Sequence, residues 1–128
     1  QVILYSAQDL AAYRALRARG ALGEARLALL FVLGRYAEGR RSTPADLLPF
    51  LFEPVAETWS VCAFGPAERD CVTLAALLGG HARIGFENNL LMADGSLAPD
   101  NAALVRQFVE TLRVLGRRPA SAAELRAL

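Results

Sequence analysis

Arg83, Glu87 and Asn88 are the residues of this chain whose types and spacing could do chemistry. A guanidinium can hold an anion. A carboxylate can bind a metal or accept a proton, and an amide can both donate and accept hydrogen bonds. They stand in the run Gly79-Gly80-His81-Ala82-Arg83-Ile84-Gly85-Phe86-Glu87-Asn88-Asn89. Within it Ala82, Ile84 and Phe86 fall on one side, and His81, Arg83, Gly85 and Glu87 on the other, which is the period-2 pattern of a strand. A strand facing solvent has no need of a glycine between opposite charges. A strand lining a crowded site does, because glycine leaves room for a ligand or another side chain. On an ideal strand Arg83 and Glu87 would stand about 13 Å apart at ~3.3 Å per residue. That spacing predicts no direct pair and leaves a buried Arg83 in need of another anion. By residue type alone, Glu87 suits a structural salt bridge or a helix-capping contact as well as it suits a metal.

Composition narrows the chemistry. All 14 basic residues are arginine, so no lysine is present to form a Schiff base. Carbon–carbon cleavage on this segment would need a metal or another electron sink. The chain has 1 histidine, which cannot complete a set of zinc ligands. His81 itself falls at the start of its strand, away from the edge where ligands bind, and reads as structural. The formal net charge of +1 suggests neither nucleic acid nor an anionic membrane as a partner. No apolar run approaches the ~20 residues of a membrane span. Cys62 and Cys71 lack a metal or redox spacing; both read as packed apolar residues in a reduced, cytoplasmic setting.

The elements that would position these residues alternate. Val2–Ser6 and Leu27–Gly34 are nearly continuous apolar runs, the mark of strands buried on both faces. Glu57–Phe64, containing the core candidate Trp59, predicts a third strand, and the run from residue 82 a fourth. Helices are expected over Ala7–Arg19, from Pro44 to about Phe52 with Thr43 as N-cap, over Ala67–Leu78 before Gly79-Gly80, and over Asn101–Leu115 after the N-cap Asp100. In that last helix Leu104, Val105, Phe108, Leu112 and Leu115 form an apolar face. A polar loop is expected over Arg35–Ser42, and Ser121 with Glu124 predicts a capping box for a final short helix. Four βα units in this order predict parallel strands with right-handed crossovers. By pattern, half of a (β/α)₈ barrel and a small doubly wound sheet fit nearly alike. In either, ligands bind at the carboxyl ends of the strands, here Ser6, Gly34-Arg35, Ala63–Gly65 and Glu87–Asn89.

The motif Gly-Gly-His-x-Arg-x-Gly-x-Glu-x-Asn, followed by Asp94-Gly95 and Asp100-Asn101, resembles the last strand and helix of the β-keto acid cleavage enzymes, the family typified by 3-keto-5-aminohexanoate cleavage enzyme. The resemblance implies a single partial domain over 1–128, comprising strands five to eight of a TIM (β/α)₈ barrel and their helices. A full barrel takes about 250 residues, and the chain opens at Gln1 inside an apolar run; on both counts it is expected to be the C-terminal part of a longer protein. As half a barrel this part is expected to be inactive by itself, and its two open strand edges make it prone to associate.

The family likeness also implies a reaction and roles. The reaction is a zinc-dependent condensation of a β-keto acid with acetyl-CoA, giving acetoacetate and a CoA thioester. Glu87 is implied as a zinc ligand beside two histidines of a His-x-His pair on an earlier strand. Zinc would polarise the substrate's keto carbonyl. Arg83 is implied to assist at the active site. Asn88 departs from the family pattern, which has aspartate there; an amide cannot take a proton at neutral pH, so a base must come from elsewhere or the substrate must differ. Asn89 is expected to hold the turn. Gly65, in the loop after strand seven, is implied as a weak contact to the acetyl-CoA phosphates, with Pro66 removing one donor there. The family tends to form homotetramers of a soluble, cytoplasmic enzyme acting on small molecules.

Overall fold

A computed structural model describes residues 1–35 and 41–127. Four strands form one parallel sheet in the order β1-β2-β3-β4: β1 Val2–Leu4, β2 Leu29–Leu33, β3 Trp59–Ala63 and β4 His81–Ala82. Among the described residues α1 Ala7–Ala18 follows β1, a 3-10 helix follows β2, α2 Glu68–Leu77 follows β3, and α3 Asn101–Val114 and α4 Ala122–Arg126 both follow β4. Pro44–Leu51, expected as a helix, is a 3-10 helix. Pro49 inside it has no N–H to donate and crowds the preceding turn, so the wider α-helical ladder cannot close. The polar loop expected over Arg35–Ser42 lies in part outside the described residues.

Strand register and burial show how the sheet is used. Leu29, Phe31 and Leu33 of β2 and Trp59, Val61 and Ala63 of β3 face the helices. They pack with Leu10 and Tyr13 of α1, Leu47 and Phe50 of the 3-10 helix, Cys71, Val72, Ala75 and Ala76 of α2, and Phe108 and Leu112 of α3. Phe31 stacks on Phe50 with ring centroids 4.5 Å apart and tilts against Trp59 at 5.6 Å. Burying a ring such as Phe31 stabilises the fold by roughly 1.5–3 kcal/mol. The alternate residues Leu30, Val32 and Cys62 face the other way and cluster with Phe64, with no helix residue among them.

This arrangement decides between the two folds the pattern left open. A doubly wound sheet reverses its strand order and carries helices on both faces. Here the order is sequential, and the helices that pack on the sheet meet one face. That is the winding of a (β/α)₈ barrel, in which the opposite face lines the interior. The doubly wound alternative is thereby removed.

Two other expectations are corrected. Val105 and Leu115 are 41% and 39% exposed, so the buried stripe of α3 is Ala103, Leu104, Phe108 and Leu112. Val105 follows Leu104 and so stands ~100° round the helix from it. The fourth strand is also far shorter than the alternating pattern predicts. Its ladder covers His81 and Ala82, and Arg83 adds one more bond by donating its N–H to the Val61 carbonyl at 2.9 Å. Ala82 and Ile84 do pack on the helix-side core, but Phe86 is 42% exposed. No helix among the described residues is long and apolar enough to cross a membrane.

Candidate functional site

The site begins where β4 stops. After Ile84 the chain turns: the N–H groups of Asn88 and Asn89 both donate to the Gly85 carbonyl, at 2.9 and 3.2 Å. The turn folds Glu87 back towards Arg83. Their side chains form an ion pair at 3.3 Å, against the separation that an extended strand implies. Arg83 Nη2 also donates to Asn88 Oδ1 at 3.1 Å. The three chemistry-bearing residues are therefore one cluster at the carboxyl end of the sheet, and the anion that a partly buried Arg83 requires is Glu87 itself.

The Asn88 side chain is nearly buried, at 6% exposure. Its Oδ1 is held by Arg83, yet its Nδ2 has no acceptor among the described residues. Flipping the amide would set two donors face to face, so the orientation is fixed by Arg83. A buried donor without a partner costs about 1–3 kcal/mol. Asn89 holds the turn as expected: its Oδ1 accepts from the Leu91 N–H at 2.9 Å and its Nδ2 donates to the Leu91 carbonyl at 2.7 Å.

Gly85 does leave room for another side chain, and that side chain is Asn101 at the start of α3. A Cβ on Gly85 would come within 2.9 Å of Asn101 Oδ1, which accepts the Phe86 N–H at 3.0 Å. Gly65 closes the turn after β3 at a φ of +92°, a conformation few L-residues adopt. Its N–H donates to the Asn88 carbonyl at 2.9 Å, so the donor suited to a phosphate is already engaged. Cys62 lies on the barrel-interior face near Arg83; burial pushes its thiol pKa up, while the Arg83 guanidinium pulls it down. His81 is exposed and paired in register with Ser60, away from the carboxyl edge. Trp59 is core, 8% exposed.

Sequence reasoning missed Glu68. It begins α2 and is 2% exposed. Its Oε1 accepts the Gly85 N–H at 3.3 Å and its Oε2 accepts from Asn89 Nδ2 at 3.2 Å. Burial raises its pKa to about 7 against the pull of these two donors. An acid in the first turn of a helix reads in sequence as a partner of the helix dipole. What could have marked it is its place three residues after Gly65, on the strand edge where the site had to lie.

A profile of the β-keto acid cleavage enzyme family matches residues 1–128. This chain belongs to the β-keto acid cleavage enzyme family. It is 37% identical over 100 residues to the 3-keto-5-aminohexanoate cleavage enzyme of Fusobacterium nucleatum, covering 77% of this chain and 35% of that protein. Its identity to the enzyme of the same name from Acetoanaerobium sticklandii is 32% over 99 residues, covering 77% of this chain and 36% of that protein. With the 3-oxoadipate:acetyl-CoA acetyltransferase of Cupriavidus necator it shares 42% over 74 residues, or 56% of this chain and 25% of the relative. The matched part of this β-keto acid cleavage family chain spans about a third of the length of the first two relatives.

Among the described residues no group of three or more His, Cys, Asp or Glu side chains gathers to hold an ion. Glu87, 64% exposed on its side chain at the carboxyl edge, has the donor chemistry and access of a single oxygen ligand.

Proposed function

We propose that this chain supplies strands five to eight of a (β/α)₈ β-keto acid cleavage enzyme that condenses a β-keto acid with acetyl-CoA, yielding acetoacetate and a CoA thioester. The observation that carries the reading is the convergence of Arg83, Glu87 and Asn88 at the strand ends, with Asn88 Nδ2 left without an acceptor among the described residues. The acetyltransferase name borne by the Cupriavidus necator relative supports acetyl-CoA as co-substrate.

Glu87 would be one zinc ligand, with the others on residues outside this chain. When bound, zinc supplies Lewis-acid polarisation of a keto oxygen. Arg83 sets the charge and orientation of Glu87 and fixes the Asn88 amide. Asn88 presents a desolvated N–H to an acceptor oxygen of the substrate; as an amide it cannot be the base, so proton removal falls to a group elsewhere in the protein. Gly65 lets the chain pass close behind Asn88, and a phosphate contact there would have to use atoms other than its N–H. The enzyme is proposed to act in the cytoplasm on small molecules, with neither nucleic acid nor membrane as partner, and to assemble as a homotetramer. The 128-residue chain by itself is proposed to be inactive, lacking the remaining ligands.

The test is made on the full-length protein. Purified enzyme should hold about one zinc per subunit and form acetoacetate from acetyl-CoA and a β-keto acid. Glu87→Gln should lose most of the zinc while remaining folded. Full zinc occupancy in that variant would sink the assignment.

A further inference from the structure

The turn that presents Glu87 and Asn88 is clamped from both neighbouring helices, and Glu68 is the central contact. We propose that Glu68 is a positioning residue: its carboxyl group, by accepting from the Gly85 N–H and from Asn89 Nδ2, fixes the Gly85–Asn89 turn to the sheet and so sets where Glu87 and Asn88 stand. The consequence for catalysis rests on the reading of Glu87 and Asn88 as site residues; the clamp itself does not.

Three features carry the inference. First, both Glu68 oxygens are used on the turn, one on the residue that opens it and one on the residue that closes it. Second, Glu68 starts a helix whose Cys71, Val72, Ala75 and Ala76 are locked into the helix-side core, so the carboxyl group has a rigid mount. Third, the adjoining contacts reinforce the same turn: Gly65 N–H donates to the Asn88 carbonyl at 2.9 Å, and Asn101 Oδ1 takes the Phe86 N–H at 3.0 Å. A buried carboxyl is costly where an apolar side chain of similar size would not be. A packing role does not require two acceptor oxygens. Holding two donors that diverge from the two ends of a turn does, and glutamine offers one acceptor where glutamate offers two. The arrangement anchors Glu87 through its neighbours on either side.

Hydrogen exchange of the full-length protein, followed by mass spectrometry over peptides spanning residues 83–90, tests the clamp without using activity. Glu68→Gln should speed exchange of this segment roughly tenfold, as expected for loss of one of the two buried hydrogen bonds. Peptides from β3 should be unchanged. Turnover measured alongside should fall about tenfold in kcat with KM within twofold, because the substrate still binds but meets a displaced site. Unaltered exchange in a folded Glu68→Gln protein overturns the proposal. Should that variant not fold, the unaltered protein decides: protection of residues 83–90 matching that of β3 supports the clamp, and exchange as fast as that of the exposed segment 117–121 overturns it. If the unaltered enzyme makes no acetoacetate yet the variant loosens the turn, the functional reading fails and the clamp stands.

Discussion

Arg83 and Glu87 form an ion pair at 3.3 Å although the sequence pattern sets them four positions apart on an extended strand. The pair exists because the chain leaves the sheet at Ile84 and turns at Gly85. Its side chains are 39% and 64% exposed, so the pair contributes little to stability, ~1 kcal/mol or less. Its value is placement, since Arg83 also orients the Asn88 amide. Arg83→Ala in the full-length enzyme should lower kcat/KM for acetoacetate formation by about a hundredfold or more, equivalent to roughly 2.7 kcal/mol of transition-state binding. The melting temperature should move by only a few degrees. Arg83→Lys should recover little, because an ammonium lacks the planar fork that serves both partners. Near-normal turnover in either variant would remove Arg83 from the site.

Glu68 predicts a pH dependence whose sign is opposite to that of a salt-bridged acid. Burial raises its pKa from 4.5 to about 7, so the folded protein keeps a proton that the unfolded chain releases. The stability linked to that proton is fully present below about pH 4.5 and is lost as pH rises through about 7. At ~1.4 kcal/mol per pH unit, the loss is on the order of 3 kcal/mol. Urea midpoints of the unaltered protein should therefore fall from pH 5 to pH 8 relative to those of Glu68→Gln, which cannot titrate. Parallel pH profiles for the two proteins would show that Glu68 is ionised throughout.

Gly80 is held by packing. A Cβ at this position would lie 2.2 Å from Trp59 Cζ3 and 2.5 Å from Cη2, inside the ring of a core residue. Gly80→Ala should destabilise the protein by about 1–3 kcal/mol through displacement of Trp59, which also packs on Phe31. Gly79, by contrast, has open space around its Cβ position but a φ of +91°, so Gly79→Ala pays a backbone cost alone. Chemical denaturation of both variants should rank Gly80→Ala as the worse.

Cys62 and Cys71 are both fully buried. Burial pushes the Cys71 thiol pKa up to about 11, against the hydrogen bond with Ser42 at 3.8 Å. Neither thiol should react with an alkylating reagent at neutral pH until the protein unfolds. Rapid modification of either residue in the native protein, mapped by mass spectrometry, would contradict the packing described for them.

Much of this architecture was legible in the residues. Continuous apolar runs marked β1 and β2, Asp100 marked the start of α3, and the capping box Ser121–Glu124 marked α4. These are local signals, and the tertiary fold left them intact. Period-2 alternation from Ala82 to Glu87 was a local signal too, and it misled. A polar–apolar pattern is equally written by a short strand followed by a turn, and only the hydrogen bonds to the Gly85 carbonyl distinguish the two.

The sequence by itself determined the alternation of strands and helices, the absence of a lysine nucleophile, and the membership of Arg83, Glu87 and Asn88 in one motif. Tertiary structure decided three further things. It chose barrel winding over a doubly wound sheet, because strand order and the face on which helices pack depend on contacts between distant segments. It brought Arg83 and Glu87 within 3.3 Å, because a turn shortens what a strand would extend. It also brought Glu68 onto the Gly85–Asn89 turn: its two hydrogen-bonded partners lie 17 and 21 residues away along the chain, and burial at that distance leaves no mark in local spacing.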